Sequence, residues 1–170
     1  IDDSPYAPKF HVISQPNEWA KIIKRTNRKS ELSETQALQL DFWTELRSYG
    51  QDKNSQLRFR KPSPQNWYSI SIGSGRANMA FVVDTQSNEI RCELYIPDDK
   101  ELYRELEEYK SEITSELNCE LQWMYLEGKK ASRIRTVTRG DISQKEHWNQ
   151  YFEWLINRAE NFQEVFKKYI

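Results

Sequence analysis

The chain has 170 residues, of which 30% are charged and 13% are aromatic, and its formal net charge is −1. This length fits one globular domain of roughly 100 to 200 residues, and six Trp and nine Tyr exclude a disordered chain. The cysteines, Cys92 and Cys119, have no C-x-x-C spacing, and no run reaches the roughly 18 apolar residues of a membrane helix. We therefore expect a protein of the reducing cytoplasm without a zinc cluster, a disulfide framework or a membrane partner.

The first residues predict an arm that precedes the domain. Pro5 and Pro8 fix backbone angles in residues 1–16, where apolar residues show no periodicity, so we predict an interdomain linker there. Residues 17–170 are predicted to form a single α+β domain. A short helix is expected at 18–24.

Three long helices are predicted from apolar spacing and capping signals. Residues 33–49 begin with the capping box Ser33-Glu-Thr-Gln36 and end at Gly50. Residues 98–117 combine an apolar stripe with an acidic face. Residues 143–170 begin at a second capping box and carry an apolar seam to the last residue, which either covers a sheet or forms a dimer interface.

Apolar residues alternate with polar ones in five ranges, which are 67–72, 79–83, 90–96, 121–125 and 134–137. The first three predict an antiparallel meander whose first turn contains Gly73-Ser-Gly75, and a further short strand is expected at 57–60. The predicted fold is α+β, with an antiparallel or mixed sheet of about five strands covered on one side by three helices. The predicted element order is α-β-β-β-α-β-β-α.

Charge is sorted by segment along the chain. Residues 53–83 and 128–140 each contain five basic residues and no carboxylate, whereas residues 98–127 contain ten acidic residues and three basic ones. Clustered Lys and Arg are typical of an anion site, and nucleic acid is the first partner to consider.

Strand alternation predicts where these basic side chains point. If Ile134 faces the core, then Arg133, Arg135 and Arg139 emerge together on the opposite sheet face. Arginine binds phosphate oxygens bidentately, and a Trp on the same face can stack on an unpaired base. The full set of expected nucleic-acid contacts is Arg60, Lys61, Trp67, Arg76, Lys129, Lys130, Arg133, Arg135 and Arg139. In the alternative interpretation, these arginines pair with the acidic helix 98–117 and form a solvated surface.

The loop from Lys61 to Trp67 contains two prolines, two amides and an aromatic residue. It is either a preorganised recognition loop or a plain surface crossing.

Five sequence motifs are similar to those of one protein family: IDDSPYAPKF at 1–10, QPNEW at 15–19, RKPSPQNWYSISIG at 60–73, ELYI at 93–96 and GKKASRI at 128–134. They resemble the bacterial and archaeal domain of unknown function 4268 over essentially the whole chain. The resemblance implies an upstream PD-(D/E)XK-type nuclease-like domain and a setting of nucleic-acid processing or phage defence. The resemblance does not imply a specific biochemical role for this domain.

Two other functions are compatible with the sequence. The arginines could dock an acidic partner, the upstream nuclease-like domain or a second copy of the chain, which would make the domain an interaction or dimerisation module. Alternatively, Asp84 and Glu93 could hold Mg²⁺ in a nuclease-like core, active or degenerate. That chemistry needs a Lys two residues after the Glu, where Tyr95 stands, and Asp84 fits a turn better. We therefore expect no catalytic residue and no cofactor in this domain, and Mg²⁺ only if the nuclease interpretation holds.

Overall fold

The structure is a computed structural model that describes residues 32–170. Residues 34–170 form one compact unit. The predicted linker at 1–16 and the short helix at 18–24 lie outside the described residues. No helix in the described part of the chain is long and apolar enough to cross a membrane.

Five strands form one sheet, and every neighbouring pair is antiparallel. The strands are β1 (Trp67–Ile70), β2 (Asn78–Asp84), β3 (Glu89–Ile96), β4 (Gln122–Met124) and β5 (Ser132–Arg139). Their spatial order is β1-β2-β3-β5-β4, so the meander is extended by the β4–β5 hairpin, whose second strand pairs with β3. The predicted α+β class and five-stranded sheet are confirmed.

Four α-helices accompany the sheet. They are α1 (Glu34–Asp52), α2 (Lys100–Glu108), α3 (Lys110–Leu117) and α4 (Trp148–Phe166), and α4 follows a 3₁₀ turn at Lys145–His147. The inward strand residues and the apolar helix residues belong to one buried cluster. The apolar core lies on one face of the sheet, because burial alternates along β1, β2, β3 and β5 apart from Val82 and Glu93, which are buried on the opposite face.

The apolar seam of α4 packs within this core. Phe152, Leu155 and Phe162 are each at most 2% exposed, and α4 contacts α1, α3 and β3. Of the two interpretations of the seam, the one in which it covers the sheet is therefore correct.

Several predicted boundaries differ from the structure. The helix predicted over 98–117 is two helices, because the backbone breaks at Tyr109, whose N–H donates to Leu106 O at 3.1 Å. The final helix begins at Trp148, because the Ser143 hydroxyl donates to Asp141 Oδ1 instead of capping a helix. Residues 57–60 form no strand.

Gly50 does not end α1, which continues to Asp52. The glycine is buried under the ring of Phe59, and a Cβ at this position would lie 2.3 Å from the ring Cζ. Gly50 therefore permits a close approach between the helix and the following segment.

Candidate nucleic-acid interface

β5 presents its arginines on the sheet face opposite the core. Ile134 is fully buried, and the residues flanking it, Arg133 and Arg135, lie directly opposite Tyr95 and Glu93 of β3. Arg139 lies opposite Glu89 in the same ladder. The predicted orientation of the three arginines is therefore confirmed. We call this surface the arginine face; its basic members are Arg91, Arg133, Arg135 and Arg139.

The ladder registers define four rows across this face. They are Asp84, Glu89 and Arg139; Trp67, Val82, Arg91 and Val137; Ser69, Ala80, Glu93, Arg135 and Gln122; and Asn78, Tyr95, Arg133 and Met124. The described helices lie on the other side of the sheet, against the core.

Two of the four arginines are compensated by carboxylates on the same face. Arg133 Nη1 lies 3.1 Å from Glu93 Oε2, and the Glu93 side chain is only 1% exposed. Arg91 Nη2 lies 2.8 Å from Asp84 Oδ2 and 2.7 Å from Glu89 Oε2. These pairs fix the two guanidinium groups in place and cancel most of their charge.

Arg135 and Arg139 are different. Arg135 Nε donates to the neutral amide oxygen Gln122 Oε1 at 2.8 Å. Among residues 32–170, no carboxylate lies within the 4.0 Å ion-pair distance of Arg135 or Arg139. Burial lowers the pKa of Arg135, and the nearby positive charge of Arg91 lowers it further, while the charges of Glu93 and Glu89 oppose this shift only in part. A bound anion would add a favourable charge at this position.

Arg76, from the first basic segment, is not on the arginine face. Its Nε lies 2.7 Å from Asp99 Oδ2, and its Nη1 lies 2.9 Å from Glu105 Oε2. Asp99 also caps α2 by accepting a hydrogen bond from Leu102 N at 2.8 Å. The alternative in which the basic residues pair with the acidic helix is therefore correct for Arg76, and it is wrong for the arginines of β5.

The loop before β1 is held in place at three carbonyl groups. Trp43 Nε1 donates to Gln65 O at 2.7 Å, Tyr68 hydroxyl donates to Arg60 O, and Val83 N donates to Asn66 O at 2.8 Å. The exposed residues of this loop and its ends are Arg60, Lys61, Ser63, Asn66 and Trp67. Since its backbone is fixed from both α1 and the sheet, the loop has the properties of a preorganised surface.

The β4–β5 loop is held by a residue that the sequence did not point to. Lys100 Nζ donates to Ala131 O and to Ser132 Oγ, each at 2.9 Å, and also to the carbonyl oxygens of Tyr125 and Leu126. This ammonium group gathers the two sides of the loop, in which Leu126 adopts a φ of 56°. No local pattern could reveal these contacts, because they join α2 to residues more than twenty positions away.

The lysines of the β4–β5 loop, Lys129 and Lys130, are exposed near the start of β5. Lys130 Nζ lies 3.2 Å from Asp98 Oδ2, in a pair whose side chains are 82% and 66% exposed. A pair so open to solvent leaves much of the lysine charge available.

Asp84 and Glu93 do not come together as a two-carboxylate site. Asp84 Oδ1 accepts hydrogen bonds from Ser87 N and Gln86 N, which lower the pKa of Asp84 and close the turn that the sequence predicted. Asp84 lies opposite Glu89, so Glu93 is four residues farther along β3, or roughly 13 Å. Within residues 32–170, no group of three His, Cys, Asp or Glu side chains is arranged to hold a metal ion.

Comparison with known proteins identifies the family of the chain. The family model for a domain of unknown function (DUF4268) matches residues 38–170, so the chain belongs to this family. The match begins inside α1 and includes every later helix and strand. The resemblance to this family is thereby confirmed over residues 38–170, and the motifs at 1–10 and 15–19 lie outside the match. No curated protein and no solved structure matches the chain.

Proposed function

We propose that this domain is a noncatalytic accessory domain of a nuclease-like prokaryotic protein and that it contacts nucleic acid through the arginine face. One observation carries the proposal: Arg135 and Arg139 lack a carboxylate partner among the described residues and share their sheet face with the exposed Trp67. Guanidinium groups that make no ion pair are available to phosphate oxygens.

The basic groups follow a line that suits an extended polyanion. β5 has eight residues, which span roughly 24 Å, with the Lys129–Lys130 loop beyond its first residue and Arg139 at its last. The arginine face carries four arginines against the three carboxylates of Asp84, Glu89 and Glu93, so its net charge is positive. Successive phosphates along one strand could meet Lys129, Arg135 and Arg139 in turn.

The expected contact residues have unequal roles in this proposal. Arg135 and Arg139 bind phosphate, Lys129 and Lys130 add charge at the loop, and the loop with Arg60 and Lys61 borders the face at β1. Arg133 is held by Glu93 and stabilises the surface more than it binds. Arg76 contributes little, because its guanidinium is occupied by two carboxylates.

The biological setting of the proposal comes from the family resemblance. Its members commonly carry an upstream PD-(D/E)XK-type nuclease-like domain, and we place the protein in cytoplasmic nucleic-acid processing or phage defence. The domain would then position a nucleic acid for that upstream domain. An accessory role is favoured because Asp84 and Glu93 are each engaged by an arginine.

The test is the salt dependence of binding by the 170-residue chain. A fluorescently labelled 20-nucleotide single strand should bind at 50 mM salt, with affinity falling by a log–log slope of about −0.7 for each phosphate contact. The double variant Arg135→Gln/Arg139→Gln should lose about tenfold or more in affinity and show a shallower slope.

The matched control is Lys53→Gln/Lys167→Gln, which removes the same charge from exposed residues outside the arginine face. Its affinity should stay within about twofold of the unmodified chain. Absence of binding at 50 mM salt, salt-insensitive binding, or equal losses in both double variants would contradict the proposal.

The alternative function is protein interaction through the same face. It is favoured by the compensation of Arg91 and Arg133 and by the presence of Tyr95 and Met124 beside Arg133, since Tyr, Met and Arg are enriched at interfaces. The partner would be the upstream domain or a second copy of the chain. Light scattering would then show a dimer, or a complex with the upstream domain, that Arg133→Glu abolishes, and no nucleic acid would bind.

A further inference from the structure

We infer that the arginine face selects single-stranded over double-stranded nucleic acid and that Trp67 makes the selection by stacking on an unpaired base. This inference rests on the proposed function and specifies its substrate class. Four observations carry it: the exposure of Trp67, the rigidity of its backbone, the small side chains beside it and its distance from the arginines of β5.

Trp67 is exposed to solvent, unlike most of the large apolar side chains that the structure describes. It is 46% exposed, and Tyr109 is the other large hydrophobic residue of comparable exposure within residues 32–170. The next residue of β1, Tyr68, is 3% exposed in the core. Indole is the side chain with the largest surface to gain from contact, so an exposed Trp on a polar face is typical of a binding surface.

The backbone of Trp67 is fixed before any ligand arrives. Trp67 pairs with Val82 in the β1–β2 ladder, and the preceding Asn66 accepts a hydrogen bond from Val83 N at 2.8 Å. One residue earlier, Gln65 O accepts from Trp43 Nε1 at 2.7 Å. Because the ring projects from a rigid strand, stacking on it immobilises only two side-chain torsions.

Small side chains lie beside Trp67 on the arginine face. Val82 lies directly opposite in the ladder and is 7% exposed, while Ala80 and Ser69 occupy the next row. These side chains are too short to cover the indole from the interior of the face. A planar base can therefore lie against the exposed part of the ring.

The arginines of β5 lie at a distance that suits the same strand. Three strand spacings separate β1 from β5, which corresponds to roughly 14 Å. A base stacked on Trp67 thus leaves its neighbouring phosphates free to reach Arg135. The aromatic contact and the phosphate contacts belong to one extended site.

A duplex cannot use this arrangement. Its bases are paired and stacked on each other, so their faces are closed to an indole ring, whereas a single strand can turn its bases outward. The described helices are on the opposite side of the sheet, so none is placed to enter a major groove from the arginine face. A duplex could contact only the basic side chains and would gain no affinity from stacking on Trp67.

The test compares a 20-nucleotide single strand with its duplex at 50 mM salt, using the 170-residue chain. The unmodified chain should bind the single strand about tenfold more tightly. Trp67→Ala should lower single-strand affinity about tenfold and leave duplex affinity unchanged, so that the preference disappears. Trp67→Phe should restore part of it.

Tyr109→Ala is the matched control, since it removes an aromatic residue of similar exposure from the helix layer. It should leave the preference unchanged. Equal affinity for single strand and duplex, or an unchanged preference in Trp67→Ala, would overturn the inference while leaving nucleic-acid binding intact. The absence of binding to either probe would instead overturn both this inference and the proposed function.

Discussion

The two basic segments of the chain carry the same net charge, but the structure compensates that charge differently. Residues 53–83 and 128–140 each contain five basic residues and no carboxylate. In the first segment, Arg76 is held by Asp99, which caps α2, and by Glu105 within that helix. In the second, Arg135 and Arg139 have no carboxylate partner among the described residues. Equal charge along the sequence therefore does not mean equal availability to a ligand.

Topology explains this difference. Arg76 lies in the connection between β1 and β2, next to the end of β3, where the chain enters α2 and its acidic residues. The arginines of β5 instead alternate with buried residues and are directed away from the helix layer. Arg76, in a loop, is therefore neutralised by carboxylates of the helix that begins beside it. The arginines of β5 can be neutralised only by carboxylates on their own face of the sheet.

The largest effect is expected from Lys100, which joins the acidic helix to the second basic segment. Lys100→Met should lower the free energy of unfolding by about 3 kcal/mol, because four oxygen acceptors lose a charged donor. Urea unfolding measures the change. Lys110→Met on the neighbouring helix is the control and should cost well under 1 kcal/mol. Similar losses in both variants would show that the cluster around Lys100 has no special role.

Each basic segment contains a glycine, and the two glycines differ in how closely other atoms pack against them. Gly140, after β5, lies under Ile90, whose Cδ1 would be 2.2 Å from an added Cβ, whereas Gly75 has nothing within 4 Å. Gly140→Ala should therefore lower the free energy of unfolding by about 2 kcal/mol, and Gly75→Ala by a few tenths at most. Thermal unfolding of both variants tests this, and equal midpoints would contradict it.

Removing a carboxylate that pairs with an arginine should affect binding in the second basic segment and not in the first. Glu93→Gln frees the charge of Arg133 on the arginine face, so single-strand affinity should rise about threefold. Stability should fall by about 1 to 2 kcal/mol, because Glu93 is buried. Asp99→Asn frees Arg76 and keeps a capping side chain, and its affinity should be unchanged. An equal rise in both variants would show that the position of the charge is irrelevant.

The smallest effect concerns pH. Hydrogen bonds from Arg76 and then from Leu102 N lower the folded-state pKa of Asp99 below its usual 3.8. The ionised carboxylate thus stabilises the folded state above about pH 4, and this contribution is lost as the pH falls through the lowered pKa. Arg76→Gln should raise the pKa of Asp99 in an NMR titration. The pKa of Asp141, lowered by Ser143, should stay constant.

Much of the fold could be predicted because period-2 alternation and helix spacing are local. The orientation of Arg133, Arg135 and Arg139 followed from the placement of Ile134 alone. The role of Lys100 could not be predicted, since its acceptors are brought together only by tertiary folding.

Close packing limited the prediction in a second way. Gly50 resembles a helix stop in the sequence, yet its lack of a side chain serves the contact with Phe59. The break of the acidic helix at Tyr109 carries no glycine or proline signal either. The site was predictable where it depends on strand geometry, and it was not where it depends on pairing between distant segments.

The most direct measurement compares Arg139→Gln with Arg76→Gln, which remove the same charge from the two basic segments. Single-strand affinity of the 170-residue chain is measured from 50 to 200 mM salt. Because Arg139 is available to phosphate and Arg76 is not, Arg139→Gln should bind about five- to tenfold more weakly with a slope reduced by about 0.7, whereas Arg76→Gln should stay within about twofold of the unmodified chain. Equal losses in the two variants, or a larger loss in Arg76→Gln, would contradict this prediction.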